Sequence, residues 1–489
     1  MSNPAALPFV LDPQICERAR MSRDARFDGL FYTAVTSTRI YCRSVCPAPT
    51  PKPQHIRYYA TAAAAASASA GFRPCLRCRP EAAPGSPLHR AGGELVRQAL
   101  HLIEDGALDD ASVGALAARI GVGERHLRRL FVEQIGASPL EIAATRRVLF
   151  AKKLLSETTL PVTEIALASG FASVRRFNAA FQAAYRMPPR VVRRKEGVVA
   201  DGLTLRLPYR PPYDFAAQLA FYARRAIPRV EQVDAVAYRR AFMHDGIIGS
   251  FDVQAASDEN ALLLCIQFPN SSVLPMLSTR VRRMFDLDAD PVAINTALAQ
   301  SEVLHALVQK HPGQRLPGAW DGFETAVRAV LGQQISVAAA RTFAARLVER
   351  FGERLLDESA SGLTALFPTP QSLCDANIAS IGLPKARAKT LRELTHAVCA
   401  GQLHFAPNQT LDNFVESMVR LPGIGAWTAH YVAMRALLHP DAFPAADLIL
   451  RRAAASDGVA LSTKALEQLS QIWRPWRAYA VLHLWRSQG

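Results

Sequence analysis

Between residues 91 and 190 the apolar residues recur with the period of an α-helix, and this pattern occurs as two repeats. Four landmarks of the first copy recur 49 or 50 positions later: Val113, Gly121, Phe131 and Pro139 return as Val162, Gly170, Phe181 and Pro189. Each copy predicts a helix, a glycine turn and a second helix rich in Arg or His. This order is typical of a helix-turn-helix, here present as a pair.

The pattern changes to a period of two residues over 203–268, which predicts strands with one helix near 214–226. From about residue 320 the helical period returns, with segments near 322–350, 385–401, 411–420, 426–438 and 446–455. Charge, Gly and Pro interrupt the pattern at 81–90 and 191–202, and these stretches are expected to be linkers. A softer boundary falls near 310–318.

These breaks, with a length of 489 residues, predict a multidomain chain. We expect a small zinc-binding α+β domain at 1–84 and an all-α double helix-turn-helix domain at 85–195. An α+β domain with an antiparallel sheet at 203–312 is expected to join an all-α helix-hairpin-helix domain at 313–489.

The net charge is +15, and residues 1–200 hold 28 Lys+Arg against 16 Asp+Glu. Such an excess suits a polyanion such as double-stranded DNA, because basic side chains displace condensed counterions from the phosphates. An anionic membrane is the rival partner, but the chain has no apolar run of membrane-spanning length and no lipidation signal. The sequence therefore predicts a cytoplasmic, nucleoid-associated protein without a membrane partner.

Four of the eight cysteines form two close pairs, Cys42 with Cys46 and Cys75 with Cys78. Two such pairs can bring four thiolates together tetrahedrally around Zn²⁺. By spacing alone, a purely structural zinc site explains the pattern as well as a reactive one. The scattered cysteines are expected to be inert core thiols: Cys16, Cys265, Cys374 and Cys399.

The sequence around the cluster resembles Ada-type DNA methyl-phosphotriester repair domains over residues 10–82. The matching segments are FDG at 27–29, YCRSVC at 41–46 and GFRPCLRC at 71–78. The resemblance implies that Cys42 is a zinc-bound thiolate that accepts a methyl group from a DNA methyl-phosphotriester. Zinc keeps a coordinating thiol deprotonated at neutral pH. Methylation would also make the centre less negative, which should strengthen DNA binding.

The repeated helices resemble an AraC-type DNA-binding domain over residues 91–192, through SVxxLA at 112–117 and VTEIA at 162–166. Recognition helices contact DNA with residues near their N-termini. The expected readers are Arg125, His126, Arg128, Arg175 and Arg176. The alternative is that they contact only phosphate or solvent, and base and backbone contacts are not separable by sequence.

The segment LPGIGAWTA at 421–429 places Pro422, Gly423 and Gly425 in a tight turn before a helix, where backbone amides can hold a DNA phosphate. Alone it could be an ordinary turn. Together with LGQQIS at 331–336 and FPAAD at 443–447, it resembles the helix-hairpin-helix DNA glycosylase superfamily. That resemblance implies that Asp447 is the essential carboxylate, although a helix N-cap is the alternative role.

Superfamily members that also cut the strand carry a lysine two residues after the second hairpin glycine, where this chain has Trp427. We therefore expect base excision without lyase activity. No cysteine follows Cys399, so the iron-sulfur cluster of some relatives has no ligands here.

Within the superfamily, residues 203–489 resemble AlkA-type 3-methyladenine glycosylases, through YRPPYD at 209–214, VRRMFD at 281–286 and WRPWRAYA at 473–480. The resemblance implies an aromatic pocket for a flipped base, formed by Trp427, Tyr431, Trp476 and Phe221, against the alternative of core packing. The chain departs from the family at Gln334, which stands where an apolar wedge is expected.

The sequence thus predicts an alkylation-response protein that excises alkylated purines such as 3-methyladenine, accepts methyl groups at Cys42 and regulates transcription. Expected partners are alkylated and methyl-phosphotriester DNA, promoter sites and, as a further candidate, RNA polymerase. No motif for O6-alkylguanine repair is found. The competing hypothesis is a transcriptional regulator whose glycosylase region is a non-catalytic DNA-binding module.

Overall fold

The computed structural model describes residues 12–85, 93–193, 203–355, 362–406, 409–455 and 459–488. They form two compact units, one built from Met1–Pro211, Ala256–Arg282 and Leu287–Asp290, the other from Pro212–Ala255, Arg283–Asp286 and Pro291–Gly489. Most of the predicted linkers at 81–90 and 191–202 lies outside the described residues. No helix within the described residues is both long and apolar enough to cross a bilayer.

The first unit begins with a four-stranded sheet in the order β3-β1-β2-β4. Its strands are β1 (Tyr32–Val35), β2 (Ile40–Arg43), β3 (Ile56–Tyr59) and β4 (Arg73–Pro74), and its helices are α1 (Pro13–Met21) and α2 (Ala62–Ala66). Strand β1 runs antiparallel to β2 and β3, whereas β2 pairs in parallel with β4. The parallel pair brings the two cysteine segments together, because Cys42 lies on β2 and Cys75 follows β4 directly.

Residues 94–192 form seven helices within the same unit. They are α3 (Glu94–Glu104), α4 (Val113–Arg119), α5 (Glu124–Ile135), α6 (Pro139–Glu157), α7 (Val162–Ala168), α8 (Val174–Tyr185) and α9 (Pro189–Val192). Pairs α4–α5 and α7–α8 are the two copies found in the sequence, and α6 connects them. The double helix-turn-helix prediction is confirmed.

The two copies have cores of their own, centred on equivalent phenylalanines. Phe131 and Phe181 are both fully buried. Phe131 packs among the apolar residues of α3, α4 and α5, while Phe181 stacks on Tyr185 with ring centroids 4.6 Å apart. The connecting helix α6 starts at a capping box, in which Ser138 and Glu141 satisfy each other's exposed groups at the helix N-terminus.

Five strands follow: β5 (Leu203–Pro208), β6 (Glu231–Val233), β7 (Ala237–His244), β8 (Ile247–Ala255) and β9 (Ala261–Gln267). In the first unit, β5 and β9 form an antiparallel pair. In the second unit, β7 pairs antiparallel with β6 on one side and with β8 on the other. The strand prediction for 203–268 is confirmed, since all five of these strands lie between Leu203 and Gln267.

The helices that complete the chain confirm the all-α prediction for its C-terminal part. They are α10 (Phe215–Ala223), α11 (Leu274–Met284), α12 (Pro291–Leu298), α13 (Glu302–Lys310), α14 (Gly322–Leu331), α15 (Val337–Phe351), α16 (Pro370–Cys374), α17 (Lys385–Cys399), α18 (Leu411–Val419), α19 (Ala426–Ala436), α20 (Leu448–Ala453), α21 (Thr463–Leu469) and α22 (Arg477–Arg486). Helix α14 packs against α17 and α19, which surrounds the hairpin helix with apolar side chains.

Three buried charges and the half-buried Arg328 join the sheet of the second unit to α14. Arg240 of β7 pairs with Glu231 of β6 at 3.2 Å and with Glu324 of α14. Arg328 pairs with the same two carboxylates at 3.0 and 2.8 Å. Burial would raise the pKa of Glu231, but Arg328 and Arg240 outweigh it and lower that pKa to about 2. Since removal of one partner would leave a buried charge uncompensated, the cluster holds α14 in one position.

Truncation of the equivalent phenylalanines tests whether the two helix-turn-helix copies have separate cores. F131A and F181A should each cost about 3–5 kcal/mol. Hydrogen-deuterium exchange of the full chain should accelerate in α4 and α5 for F131A and in α7 and α8 for F181A. Equal acceleration in both copies by either variant would contradict separate cores.

Candidate active site and metal centre

Asp447 is held by three N–H donors at the start of α20. Its Oδ1 accepts from the amide of Leu450 at 2.9 Å, as an N-cap does, and from Trp485 Nε1 at 3.4 Å. Its Oδ2 accepts from Trp427 Nε1 at 2.8 Å. The carboxylate is half-exposed and lies in the wall of a cavity. Asp447 is therefore a helix N-cap, one of the two roles that the sequence left open, and it also lines a cavity, as the other role, the essential carboxylate, requires.

Aromatic rings form the cavity around this carboxylate. The cavity measures about 1610 Å³, which is large enough for an extruded nucleotide. The rings of Trp427 and Tyr431 are stacked, with centroids 5.3 Å apart and planes at 6°. The ring of Trp485 lies 6.3 Å from that of Tyr431 at 49°. Because the indole N–H groups of Trp427 and Trp485 also donate to Asp447, the same contacts hold the carboxylate and the aromatic walls in place.

Trp485, rather than Trp476, is the third aromatic side chain beside Asp447. Trp476 is 5% exposed and packs edge-on against Tyr479, with centroids 5.9 Å apart. Among the described residues that line the cavity, Trp485 is present and Trp476 is not. The two tryptophans are nine positions apart in a segment with the same helical pattern of apolar residues. No sequence pattern identifies which of them contacts Asp447.

Phe221 lies in the cavity wall, as expected, but its ring is already covered by the chain's own cations. The guanidinium carbon of Arg225 lies 3.8 Å from the ring centroid, and that of Arg435 lies 4.6 Å from it. Arg435 is buried and donates to the carbonyls of Pro317 and Gly318. Two cation–π contacts thus occupy the aromatic face that sequence analysis assigned to the base.

The phenol of Tyr431 meets these same arginines. Arg435 Nη1 donates to the Tyr431 oxygen at 3.0 Å, and the charge of Arg225 also acts on the phenol. Burial alone would raise the pKa of Tyr431, but the charges of Arg435, Arg225 and Arg328 outweigh it and lower the pKa to about 8. Sequence analysis identified none of these arginines, because they come from three separate helical segments.

The hairpin between α18 and α19 requires glycine at its first glycine position. Gly423 has φ +84°, and a Cβ there would lie 2.1 Å from the hydroxyl oxygen of Thr390. Its carbonyl accepts from Gln333 Nε2 at 3.0 Å. Pro422 and Gly425 are exposed, and α19 starts after Gly425 without a side-chain cap. The first amides of α19 are therefore oriented outward, as contact with a phosphate requires.

Gln334 lies in the turn between α14 and α15, next to the hairpin. It is exposed, has φ +57° and contributes to the cavity wall. Its neighbour Gln333 is fixed on both sides, by Gly423 and by Arg387, which donates to the Gln333 carbonyl at 2.6 Å. The turn that carries Gln334 is therefore held in place by hydrogen bonds on both sides of residue 333.

The four clustered cysteines converge as predicted. The sulfur atoms of Cys42, Cys46, Cys75 and Cys78 all lie within 4.8 Å of one another. A tetrahedral Zn–S site has sulfurs about 3.8 Å apart, given bonds of about 2.3 Å, so the donor set fits such a metal site. The amide of Arg43 donates to Cys78 Sγ at 3.4 Å, a contact that favours the thiolate form.

Four of the five predicted DNA readers lie in the first turns of α5 and α8, and Arg128 lies in the second turn of α5. Arg125, His126, Arg175 and Arg176 are exposed, whereas Arg128 pairs with Glu124 at 2.6 Å. Their contact with bases remains a prediction.

Four family models match the chain in series. They describe the metal binding domain of Ada at residues 15–81, a helix-turn-helix domain at 116–195, the AlkA N-terminal domain at 204–321 and an HhH-GPD superfamily base excision DNA repair protein at 327–478. The order of these regions agrees with the sequence prediction.

A "Probable bifunctional transcriptional activator/DNA repair enzyme AlkA" of Mycobacterium tuberculosis is 40% identical, over 97% of this chain and 96% of its own length. The chain belongs to this family of Ada/AlkA fusion proteins. The Escherichia coli "DNA-3-methyladenine glycosylase 2" is 32% identical over 58% of this fusion protein and 97% of its own length. A solved "3-methyladenine dna-glycosylase from Archaeoglobus fulgidus" shares the fold, with a TM-score of 0.51 at 22% identity, over 58% of this chain and 97% of that one.

The two hairpin glycines provide a matched pair of variants. G423A should cost about 1–3 kcal/mol, because alanine would be strained at φ +84° and would collide with Thr390. G425A should change stability by less than about 0.5 kcal/mol, since a Cβ there meets nothing within 4 Å. Thermal unfolding of the full chain and anisotropy with duplex DNA measure both effects. Equal losses in the two variants would show that the hairpin does not depend on Gly423.

Proposed function

We propose that this Ada/AlkA fusion protein is a DNA N-glycosylase without lyase activity, which removes alkylated purines such as 3-methyladenine. The observation that carries the proposal is the carboxylate of Asp447, fixed by two indole N–H groups at the wall of a cavity that is large enough for a nucleotide. The names of its relatives from Mycobacterium tuberculosis and Escherichia coli support the same activity.

In this mechanism the damaged nucleotide leaves the duplex and its base enters the cavity between the aromatic walls. The C1′–N bond breaks and its electron pair departs with the base, so positive charge develops on the deoxyribose. The Asp447 carboxylate stabilises that charge and orients a water molecule toward C1′. Water supplies the new hydroxyl and its proton passes to solvent. The outward amides of α19 hold the adjoining phosphate, and Gln334 enters the gap in the stack.

The absence of lyase activity follows from the amino acid at position 427. A lyase needs an amine to form a Schiff base with the sugar, but Trp427 uses its indole N–H to bond Asp447. Among the described residues that line the cavity there is no lysine. The expected product is an intact abasic strand.

Substitution of Asp447 separates the enzyme from a non-catalytic DNA-binding module. D447N should lower single-turnover release of 3-methyladenine by on the order of 10³-fold, because an amide carries no charge to stabilise the sugar cation. DNA affinity should remain, since asparagine also caps helices. The matched control is D321N, which changes another N-cap aspartate, at the start of α14.

D321N should keep base release within about twofold of the wild type, because its N-cap is also retained. If the wild type binds DNA but releases no base, the module hypothesis replaces the enzyme. If D447N is fully active, Asp447 is not the catalytic carboxylate.

We also propose that the cysteine cluster binds zinc and that Cys42 is a methyl acceptor. When bound, zinc would keep the four thiols deprotonated. The match of residues 15–81 to the metal binding domain of Ada supports this role for Cys42, which lies on β2. Its sulfur attacks the methyl carbon of a phosphotriester. An S–C bond forms, the C–O bond breaks, and the phosphodiester leaves with its negative charge.

Peptide mass spectrometry after exposure to methyl-phosphotriester DNA tests the acceptor. One added methyl group, a mass increase of about 14 Da, is expected on the peptide with Cys42 and on no other cysteine peptide. Metal analysis of the same sample should find about one zinc per chain. C265S is a control that should still be methylated. Bound zinc without methylation would leave the cluster as a structural site only.

The helix-turn-helix region is proposed to bind promoter DNA through Arg125, His126, Arg128, Arg175 and Arg176. Their location in the N-terminal halves of α5 and α8 supports this role, since such residues reach into the major groove. RNA polymerase is then a candidate partner at those promoters.

A further inference from the structure

Gln333 connects the turn between α14 and α15 to three neighbouring segments. Its side-chain amide donates to the Gly423 carbonyl at 3.0 Å and to Thr428 Oγ1 at 3.1 Å, which links the turn to the hairpin and to α19. Its own carbonyl accepts from Arg387 Nη2 at 2.6 Å, which links the turn to α17. The turn is therefore held between α17 on one side and the hairpin on the other.

Helix α17 also contacts the hairpin directly, through Thr390. This residue is buried, and its hydroxyl oxygen lies where a Cβ at Gly423 would have to be placed. The hydroxyl donates to the Ala386 carbonyl at 3.3 Å, within α17 itself. Thr390 and Arg387 are three positions apart and so share one face of the helix. That face of α17 sets the distance between the turn and the hairpin.

The guanidinium group of Arg387 is not used to neutralise an acid. Arg328, which also lines the cavity, pairs with Glu231 and Glu324. Arg387 is half-buried in the same wall, and within the described ranges of the chain it forms no ion pair with a carboxylate. Its bond to Gln333 therefore fixes the position of the backbone, and replacing Arg387 leaves no described carboxylate unpaired.

Gln334 follows Gln333 directly, so its position depends on the same bonds. It is exposed and contributes to the cavity wall. In the proposed mechanism Gln334 enters the gap that the extruded nucleotide leaves, while the first amides of α19 hold the adjoining phosphate. Since both groups act on neighbouring positions of one strand, the distance between them has to match the spacing of the DNA.

We propose that Arg387 is a positioning residue for extrusion of the damaged nucleotide. By holding the Gln333 carbonyl, it keeps Gln334 at a fixed distance from the hairpin amides, so that the gap is filled while the phosphate is held. This inference rests on the proposed glycosylase and adds a residue to it. Extrusion costs unpairing and unstacking energy, and the cost is smallest for a base without a partner. Loss of Arg387 should therefore matter most where the damaged base is paired.

The experiment compares two substrates with the full-length protein at saturating concentration. Single-turnover release of 7-methylguanine is measured opposite cytosine and opposite an abasic site, in otherwise identical duplexes. Opposite cytosine, R387M should lower the rate about 10- to 100-fold, because a small displacement away from the reacting bond can cost that much. Opposite the abasic site, where no base pair is broken, the loss should stay below about threefold. Affinity for undamaged duplex should stay within about twofold, since the hairpin amides are unchanged.

R392M is the matched control, because Arg392 lies on the same helix and is exposed. It removes the same charge from α17 but keeps the bond to Gln333, so both rates should equal those of the wild type. R387K, which keeps a donor, should be faster than R387M on the paired substrate, and it provides the same comparison if R387M does not fold.

Equal losses on the two substrates, or no loss on the paired one, would overturn the positioning role of Arg387. Weaker binding of undamaged duplex with an unchanged rate at saturation would also overturn it, because Arg387 would then be a phosphate contact. In each of these cases the wild type still releases the base, so the glycosylase stands. If the wild type releases 7-methylguanine from neither substrate, the proposed glycosylase itself fails.

Discussion

Two indole N–H groups and one backbone amide converge on the carboxylate of Asp447, and the organisation of the cavity depends on that convergence. An aspartate at a helix N-cap ordinarily faces solvent with one oxygen free. Here Trp427 and Trp485 bond both oxygens, while their rings line the cavity. The carboxylate and these aromatic walls are therefore fixed by the same contacts, which is the preorganisation that stabilisation of a sugar cation requires.

A second set of contacts fixes another part of the cavity wall. Arg328 bonds Glu231 and Glu324 and also donates to the carbonyl of Arg225. This charge cluster thereby fixes the end of α10, where Phe221 and Arg225 contribute to the cavity. The cavity wall therefore carries guanidinium groups as well as the carboxylate of Asp447.

The features that sequence analysis predicted are those encoded within short stretches of chain. The cysteine pairs, the hairpin glycines and the FPAAD segment carry their chemistry at fixed local spacing, and Asp447 follows from the last of them. The doubled helix-turn-helix was predicted because its apolar landmarks recur. The periods of apolar residues also indicated where strands give way to helices, since side-chain burial imposes those periods.

What sequence analysis missed is created by packing between distant segments. Trp476 was expected beside the base, yet Trp485 occupies that position, and both share the same apolar helical pattern. The cations over Phe221 come from α19 and from the end of α10, far apart in the chain. Positive backbone φ at Gln334 is likewise set by its neighbours' hydrogen bonds. No local sequence pattern predicts these contacts, because the side chains come from distant segments and contact one another only in the folded chain.

The central claim is that Asp447 faces the developing sugar cation of an extruded nucleotide. The most direct test is the ratio of affinities for two duplexes, one with a cationic pyrrolidine and one with a neutral tetrahydrofuran at the abasic position. The wild type should bind the cationic analogue at least about 100-fold more tightly, and D447N should lose that preference. Equal affinities for the two analogues in the wild type would contradict the role assigned to Asp447.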